Sequence, residues 1–311
     1  MHMLSGVTVS CFVLSYLVVM AMETAKVFLK LPGKNMLLIG MLIAGIFAHS
    51  VFLINSFLDP DSVKLLANWF QWSVMAAWCL AVAYLVLILR NPSNASGLFL
   101  IPLILALIGL GMILREQTDF SSARSVWTMV HGSSLLLGTM FICFGLSFGI
   151  MYLLQSARLK SKGKKRRSRL KLPPLEFLQS MNRLSLITTT IALGFGMLSG
   201  IALNQQKQEQ FNWLDTGVLF TLALFLWSLV AMAFELAAKG SLGGRRSAYL
   251  VISNFVFMVL VLSIVVLTSH GHKDGSEGAT TPQAIPNSQP PGFTDAHDLT
   301  LAHSAFRRQN S

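Results

Sequence analysis

The chain alternates between long apolar blocks and short polar connections. The apolar blocks are roughly 20 residues long, which is the length of helix that crosses a bilayer. No strand-like alternation and no heptad repeat competes with this pattern. In chain order, the predicted spans are Leu4–Met22, Met36–Phe57, Trp69–Leu89, Gly97–Leu114, Val126–Leu154, Ser185–Leu203, Leu214–Leu236 and Tyr249–Thr268. The pattern therefore predicts an all-α fold, a polytopic membrane helix bundle of about eight transmembrane helices over residues 1–269.

Composition supports a membrane protein and locates its main basic segment. Only 12% of the residues are charged and the mean hydropathy is +0.61, whereas about a quarter of the residues of a soluble domain are charged. The net charge is +11, and nine Lys/Arg residues fall between Arg158 and Lys171. A run of this kind between two spans is typical of a connection that contacts anionic lipid headgroups. We predict a basic cytoplasmic loop over residues 156–184 and no binding of nucleic acid.

The distribution of positive charge predicts the orientation of the helices. Alternate connections hold 17 and seven of the 24 Lys/Arg residues, and positively charged connections stay in the cytoplasm. Both termini are therefore predicted to lie outside, in a multi-pass protein of the cytoplasmic (inner) membrane. Residues 270–311 are rich in Gly, Ser, Pro, Gln and Asn, which predicts a disordered external tail.

Few of the familiar reactive motifs are present. The three cysteines form no C-x-x-C pair, and no phosphate-binding loop or zinc motif is apparent. Glu23 and Glu235 fall near the cytoplasmic ends of their spans, where we expect them to reach water or lipid headgroups. Because neither lies at the midplane, where coupling ions bind in transporters, their positions argue against a transporter.

Three histidines are predicted to lie on the outer side of the membrane. His131 falls about one turn inside the fifth span, and His270 follows the eighth span. His49 falls in the outer half of the second span, where an ionisable side chain is costly and indicates function. Neutral imidazoles are good ligands for haem iron. Each histidine also has a simpler interpretation, solvation at the interface for His131 and His270 and a hydrogen bond to a neighbouring helix for His49.

Residues 126–270 resemble the cytochrome c assembly protein family of haem-handling membrane proteins, of the CcsA and ResC type. The family's motifs occur in the family's order: Trp127–His131 opening a long span, Leu172–Glu176 and Asn182-Arg183 after the basic loop, Phe211–Asp215, Gly243–Arg246 before the last span, and His270. The resemblance covers about half of the chain by motif and all of it by the number and order of spans.

The resemblance implies a haem site on the outer face of the membrane. His131 and His270 would be the axial ligands of the iron in a non-covalently bound haem b. Trp213 and Asp215 would form part of a platform beneath the haem edge. Because His49 lies deeper in the membrane than these residues, we assign it a role where haem enters the bundle or as a relay. A membrane partner subunit of a cytochrome c assembly system would supply or receive haem. The protein would then be an assembly factor rather than a classical enzyme.

Departures from the family pattern leave other interpretations open. The family's tryptophan-rich string is reduced to Trp213 and Asp215, and Phe234-Glu235 stands where the assembly proteins have a membrane histidine. These differences place the chain closest to the HemX-like branch. The alternative is a membrane scaffold or regulator of that kind that has lost haem binding. A small-solute transporter is a third interpretation.

Overall fold

Eight α-helices make up the regular structure of the described part of the chain. The computed structural model describes residues 9–28, 34–58, 69–92, 94–114, 126–160, 171–206, 216–237 and 243–271. The helices are α1 (Val9–Phe28), α2 (Lys34–Leu58), α3 (Trp69–Arg90), α4 (Gly97–Ile113), α5 (Val126–Lys160), α6 (Leu175–Gln206), α7 (Thr216–Ala237) and α8 (Gly243–Gly271). No strand occurs within these ranges, so the all-α prediction is confirmed.

The helices are long and apolar enough to form the predicted membrane bundle. Seven of them meet the length and hydropathy that a membrane span requires, and the apolar helix α4 is shorter, at 17 residues. Large apolar side chains such as Met36 and Phe47 point outward, 83% and 65% exposed. This arrangement suits contact with lipid tails, and the predicted polytopic helical bundle is confirmed.

Helices α1 to α4 form a closed ring. Helix α1 packs on α2 and α4, and α3 packs on the same two helices. The interior of the ring is filled by fully buried side chains such as Phe12, Tyr16, Leu80 and Ile104. A polar contact also joins α2 to α3, since the indole Nε1 of Trp78 donates to the Ser50 hydroxyl at 2.9 Å.

Helices α5 to α8 form a second group, which is joined to the ring where α5 packs on α3 and α4. Helix α6 packs along α5 and on α7. Helix α8 contacts α5 where Val251 lies against Gly145 and Gly149. It also contacts α7, where the rings of Trp227 and Phe257 stack with centroids 5.5 Å apart.

Several helices extend beyond the spans that hydropathy predicts. Helix α5 continues to Lys160 and α6 already begins at Leu175, so the predicted basic loop of residues 156–184 is too long. Backbone hydrogen bonds hold a helix whether or not its side chains are apolar, so the helices run on through charged residues. Pro174 suits the start of α6, because its carbonyl accepts the first helical bond, from Leu178, and it has no N–H to satisfy.

The chain divides into two compact units, Met1–Leu267 and Thr268–Ser311. The first contains helices α1 to α7 and α8 as far as Leu267. The second begins with the last residues of α8, and side chains in this helix are described as far as Ile264. Apart from residues 270 and 271, the predicted tail of residues 270–311 lies outside the described residues.

Candidate functional site

His131 is held by a hydrogen bond to the neighbouring helix. It lies five residues after the start of α5, about 8 Å along the axis at 1.5 Å per residue. Its Nδ1 lies 2.7 Å from the backbone carbonyl oxygen of Gly196 on α6. A carbonyl oxygen can only accept, so Nδ1 carries the hydrogen and Nε2 keeps its lone pair in the neutral ring. The side chain is partly exposed, and the neighbouring Trp127 is 41% exposed.

Glycines on α6 allow the close approach of α5. A Cβ atom at Gly200 would lie 3.2 Å from both Nδ1 and Cε1 of His131, and a Cβ at Gly196 would lie 3.0 Å from a methyl carbon of Leu135. Gly194 points elsewhere, towards Phe225 of α7. Helix α6 is continuous through all three glycines, so they permit packing and do not break the helix.

The other predicted residues of the outer site are only partly described. The backbone of His270 lies in the last turn of α8, but its side chain is outside the described set. Trp213 and Asp215 lie outside the described residues altogether. The predicted proximity of His131 to these residues therefore stays a prediction.

His49 is enclosed by aromatic side chains of α1. Its ring is 0% exposed and stacks on the Phe12 ring, with centroids 4.1 Å apart and planes 1° from parallel. Its Nδ1 lies 3.1 Å from the Tyr16 hydroxyl. The backbone of Val74 on α3 lies near the ring, and the buried Nε2 forms no hydrogen bond within the described residues. A porphyrin face could reach Nε2 only if the packed helices around it moved apart.

The expected solvation of Glu23 is wrong, because α3 and α4 cover this side chain. Glu23 is 0% exposed. Its Oε1 accepts hydrogen bonds from the Tyr84 hydroxyl and from the Lys26 ammonium group, the latter at 3.0 Å. Gly97, the first residue of α4, leaves the space in which the Glu23 and Tyr84 side chains lie. The contacts with Tyr84 and Gly97 hold α1 against α3 and α4.

Glu235 is buried as well, again contrary to the expectation from sequence. It is 7% exposed, and Ser247, Arg183 and Arg246 lie near its carboxylate. The Arg246 guanidinium also lies over the Phe234 ring, 5.0 Å from its centroid. These arginines come from two of the motifs that resemble the family. They supply the positive charge that a buried carboxylate needs.

A buried polar contact joins α6, α7 and α8 and was not predicted from the sequence. The Thr190 hydroxyl lies 3.0 Å from the Ser228 hydroxyl, and the Asn254 amide donates to Ser228 at 3.5 Å. Ser228 precedes Glu235 by seven residues, and Asn254 follows Ser247 by seven residues. Residues seven apart share a helix face, so this spacing was the available signal for a polar face inside the bundle.

The described residues offer no cluster typical of a metal site built from side chains alone. No group of three or more His, Cys, Asp or Glu residues within them could hold a metal ion. A haem needs only one or two protein ligands, because the porphyrin supplies the remaining nitrogens.

The fold and this histidine define a multi-pass helical membrane protein with a partly exposed imidazole at the end of a long helix. The model of the family described as cytochrome C assembly protein matches residues 35–272, from α2 to the end of α8. The chain belongs to the cytochrome c assembly protein family and takes part in cytochrome c biogenesis, a role that implies the handling of haem. Comparison with curated proteins and with solved structures gives no match.

Proposed function

We propose that the protein binds haem b non-covalently on the outer side of the cytoplasmic membrane, where His131 would be a ligand of the iron. The observation that carries this proposal is the 2.7 Å bond from His131 Nδ1 to the Gly196 carbonyl. Histidines that bind metals through one ring nitrogen commonly donate the other N–H to a carbonyl or a carboxylate. Here the arrangement leaves Nε2 to coordinate the iron.

The surroundings of His131 fit a haem ligand in two further respects. The side chain is partly exposed, so that a planar group can approach it without separating packed helices. Trp127 lies on the same first turns of α5 and is itself exposed, and an indole suits contact with a porphyrin face. When bound, haem would supply redox-active iron, and this chain would hold and orient it for covalent attachment elsewhere.

We further propose that His270 would be the second protein ligand of the iron and that Trp213 and Asp215 would form part of the platform for the haem. This part of the proposal rests on the resemblance of their motifs to those of the family.

The orientation that this proposal needs rests on the charge of the connections. With the Lys/Arg-rich connections in the cytoplasm, the first turns of α5 and the last turn of α8 lie outside. A reporter fused after Lys165 is expected to be cytoplasmic, and one fused after Lys273 external. An external signal from the Lys165 fusion would place His131 on the wrong side and refute the proposed site.

We also propose that the basic loop contacts anionic lipids and that a membrane partner subunit delivers or receives haem.

His49 has a different role in this proposal. Its stacking on Phe12 and its contact with Tyr16 favour a role in packing α1 against α2 and not a role in the passage of haem. Movement of haem past His49 would require α1 to separate from α2. A change in haem loading after replacement of His49 would support a role at the point of haem entry, and unchanged loading would leave His49 as a packing residue.

A scaffold or regulator of the HemX-like branch, without haem, is the second candidate function. Two departures from the family pattern favour the scaffold. The tryptophan-rich segment is reduced to Trp213 and Asp215, and Phe234-Glu235 stands in place of a membrane histidine. Glu235 is buried with Arg183 and Arg246 near its carboxylate, which favours a structural role for this position.

One purification separates the two candidates. The full-length protein, made in a host that produces haem and purified in detergent, is expected to show a Soret band. His131→Ala and His270→Ala should weaken haem retention and change the spectrum, whereas His297→Ala and His303→Ala in the distal tail are matched controls. A correctly inserted wild-type protein that carries no haem, even after haem is added, would leave the scaffold as the function.

A further inference from the structure

The carbonyl that holds His131 is shared with a second side chain. The Ser199 hydroxyl lies 2.9 Å from the Gly196 oxygen and 2.7 Å from the Phe195 oxygen. Ser199 is 2% exposed, so this contact is shielded from water. The Gly196 oxygen is therefore held in place on a continuous helix, and it presents a fixed acceptor to the imidazole on α5.

Gly200 leaves the space that the imidazole uses to reach this acceptor. A Cβ at Gly200 would lie 3.2 Å from Nδ1 and from Cε1 of His131. This separation is shorter than ordinary van der Waals contact, so any larger residue would displace the ring by a few tenths of an ångström. The displaced atom would be the same nitrogen that donates to the Gly196 carbonyl.

We infer that Gly200 is a positioning residue for His131, because its missing side chain lets Nδ1 donate to the Gly196 carbonyl. The consequence is that the ring is held as the Nδ1–H tautomer with Nε2 directed away from α6. The tautomer is a property of the chain alone. The effect of the tautomer on iron binding rests on the proposed function. In that case Gly200 affects haem binding only through the position of His131.

The other glycines of α6 provide matched controls on the same helix. A Cβ at Gly194 would lie 3.3 Å from the Phe225 ring on α7, which is similar crowding against a different helix. A Cβ at Gly196 would meet Leu135 first, at 3.0 Å. If the glycines served packing only, Gly194→Ala and Gly200→Ala would have similar consequences.

The first test uses the haem-free protein and needs no variant at Gly200. In full-length protein labelled with ¹⁵N-histidine, His131→Gln identifies the His131 signals among those of the seven histidines. Wild-type His131 is expected to show a protonated Nδ1 and an unprotonated Nε2. A neutral ring protonated mainly at Nε2 would overturn the inference, whatever the protein does with haem.

The second test compares variants in the haem-free and haem-loaded states. Gly200→Ala should mix the tautomers of His131 and weaken haem affinity about tenfold or more, as loss of an outer-shell partner does. Gly194→Ala should keep both the wild-type tautomer and the wild-type optical spectrum. Equal losses in the two variants would overturn the inference. If the predicted tautomer is found but the wild type binds no haem, the positioning stands and the proposed function fails.

Discussion

His49 and His131 are both histidines on apolar helices, but their surroundings differ in every respect that matters for ligand binding. His49 is 0% exposed and is stacked against an aromatic ring. His131 is partly exposed and is held from one side by a backbone carbonyl. The first histidine is closed in by its own fold, whereas the second is hydrogen-bonded through one ring nitrogen and remains partly exposed.

The residues that surround the two histidines also differ in their relation to the family match. The matched residues, 35–272, contain both histidines and the glycines that hold His131. Phe12 and Tyr16, which enclose His49, lie on α1 outside this match. The match contains both histidines and does not distinguish them, whereas the partners of their ring nitrogens do.

The largest expected effect separates the two histidines by haem content. His131→Ala should lower haem affinity by at least the roughly 10- to 100-fold that loss of an outer-shell partner costs. His49→Leu should insert normally and leave haem content unchanged, because its ring takes no part in the outer site. Absorbance of the purified proteins at the Soret band, relative to protein concentration, measures both. Loss of haem in His49→Leu alone would reverse the assignment.

A second prediction concerns the enclosure of His49. Phe12→Ala should remove the stacked ring and lower the free energy of unfolding by about 3–5 kcal/mol, as other buried Phe→Ala changes do. Leu14→Ala, at a 64% exposed position of the same helix, is the control and should have a small effect. Unfolding in detergent at increasing denaturant compares them. Haem content should not change in either variant, and a selective loss in Phe12→Ala would tie the ring of helices to the haem site.

A third prediction tests whether His49 and Tyr16 are energetically coupled. Their 3.1 Å contact should contribute about 0.5–1.5 kcal/mol. Tyr16→Phe and His49→Leu should each destabilise the protein, and the double variant should be less destabilised than the sum of the two. Simple additivity in this double-mutant cycle would show that the hydrogen bond contributes nothing, and that His49 is free for another role.

The smallest expected effect on haem comes from the basic loop. Replacing Lys164, Lys165, Arg166 and Arg167 with Gln should remove about 1 kcal/mol of attraction to anionic lipid for each charge near the surface. Binding to vesicles with and without anionic lipid measures this change. Haem content should stay at the wild-type value, and a fall in a correctly inserted variant would extend the haem site to the other end of the bundle.

Hydropathy predicted the number and order of the helices, because apolar blocks of this length have few other stable structures. It placed the end of α5 too early and the start of α6 too late. Helix α5 continues past its apolar block through Arg158 to Lys160, and α6 begins at Leu175 and includes Glu176 ahead of its apolar block. The burial of Glu23 and Glu235 was not predicted for a related reason. Position along a span gives depth, but not the helix face or the neighbour that covers it.

The resemblance singled out His131, but its partner could not be predicted. The hydrogen bond joins residues 65 positions apart, and it depends on the register of α5 against α6. That register is set by which side chains fit against Gly196 and Gly200. A single sequence shows the glycines without showing what approaches them.

The most direct test of the central claim is the electron paramagnetic resonance spectrum of the ferric haem-loaded protein. Coordination by two histidines gives low-spin iron, so we expect a low-spin signal in the wild type and in His49→Leu. We expect a high-spin signal, or no bound haem, in His131→Ala. A low-spin signal that survives His131→Ala unchanged would contradict the assignment of His131 as a ligand.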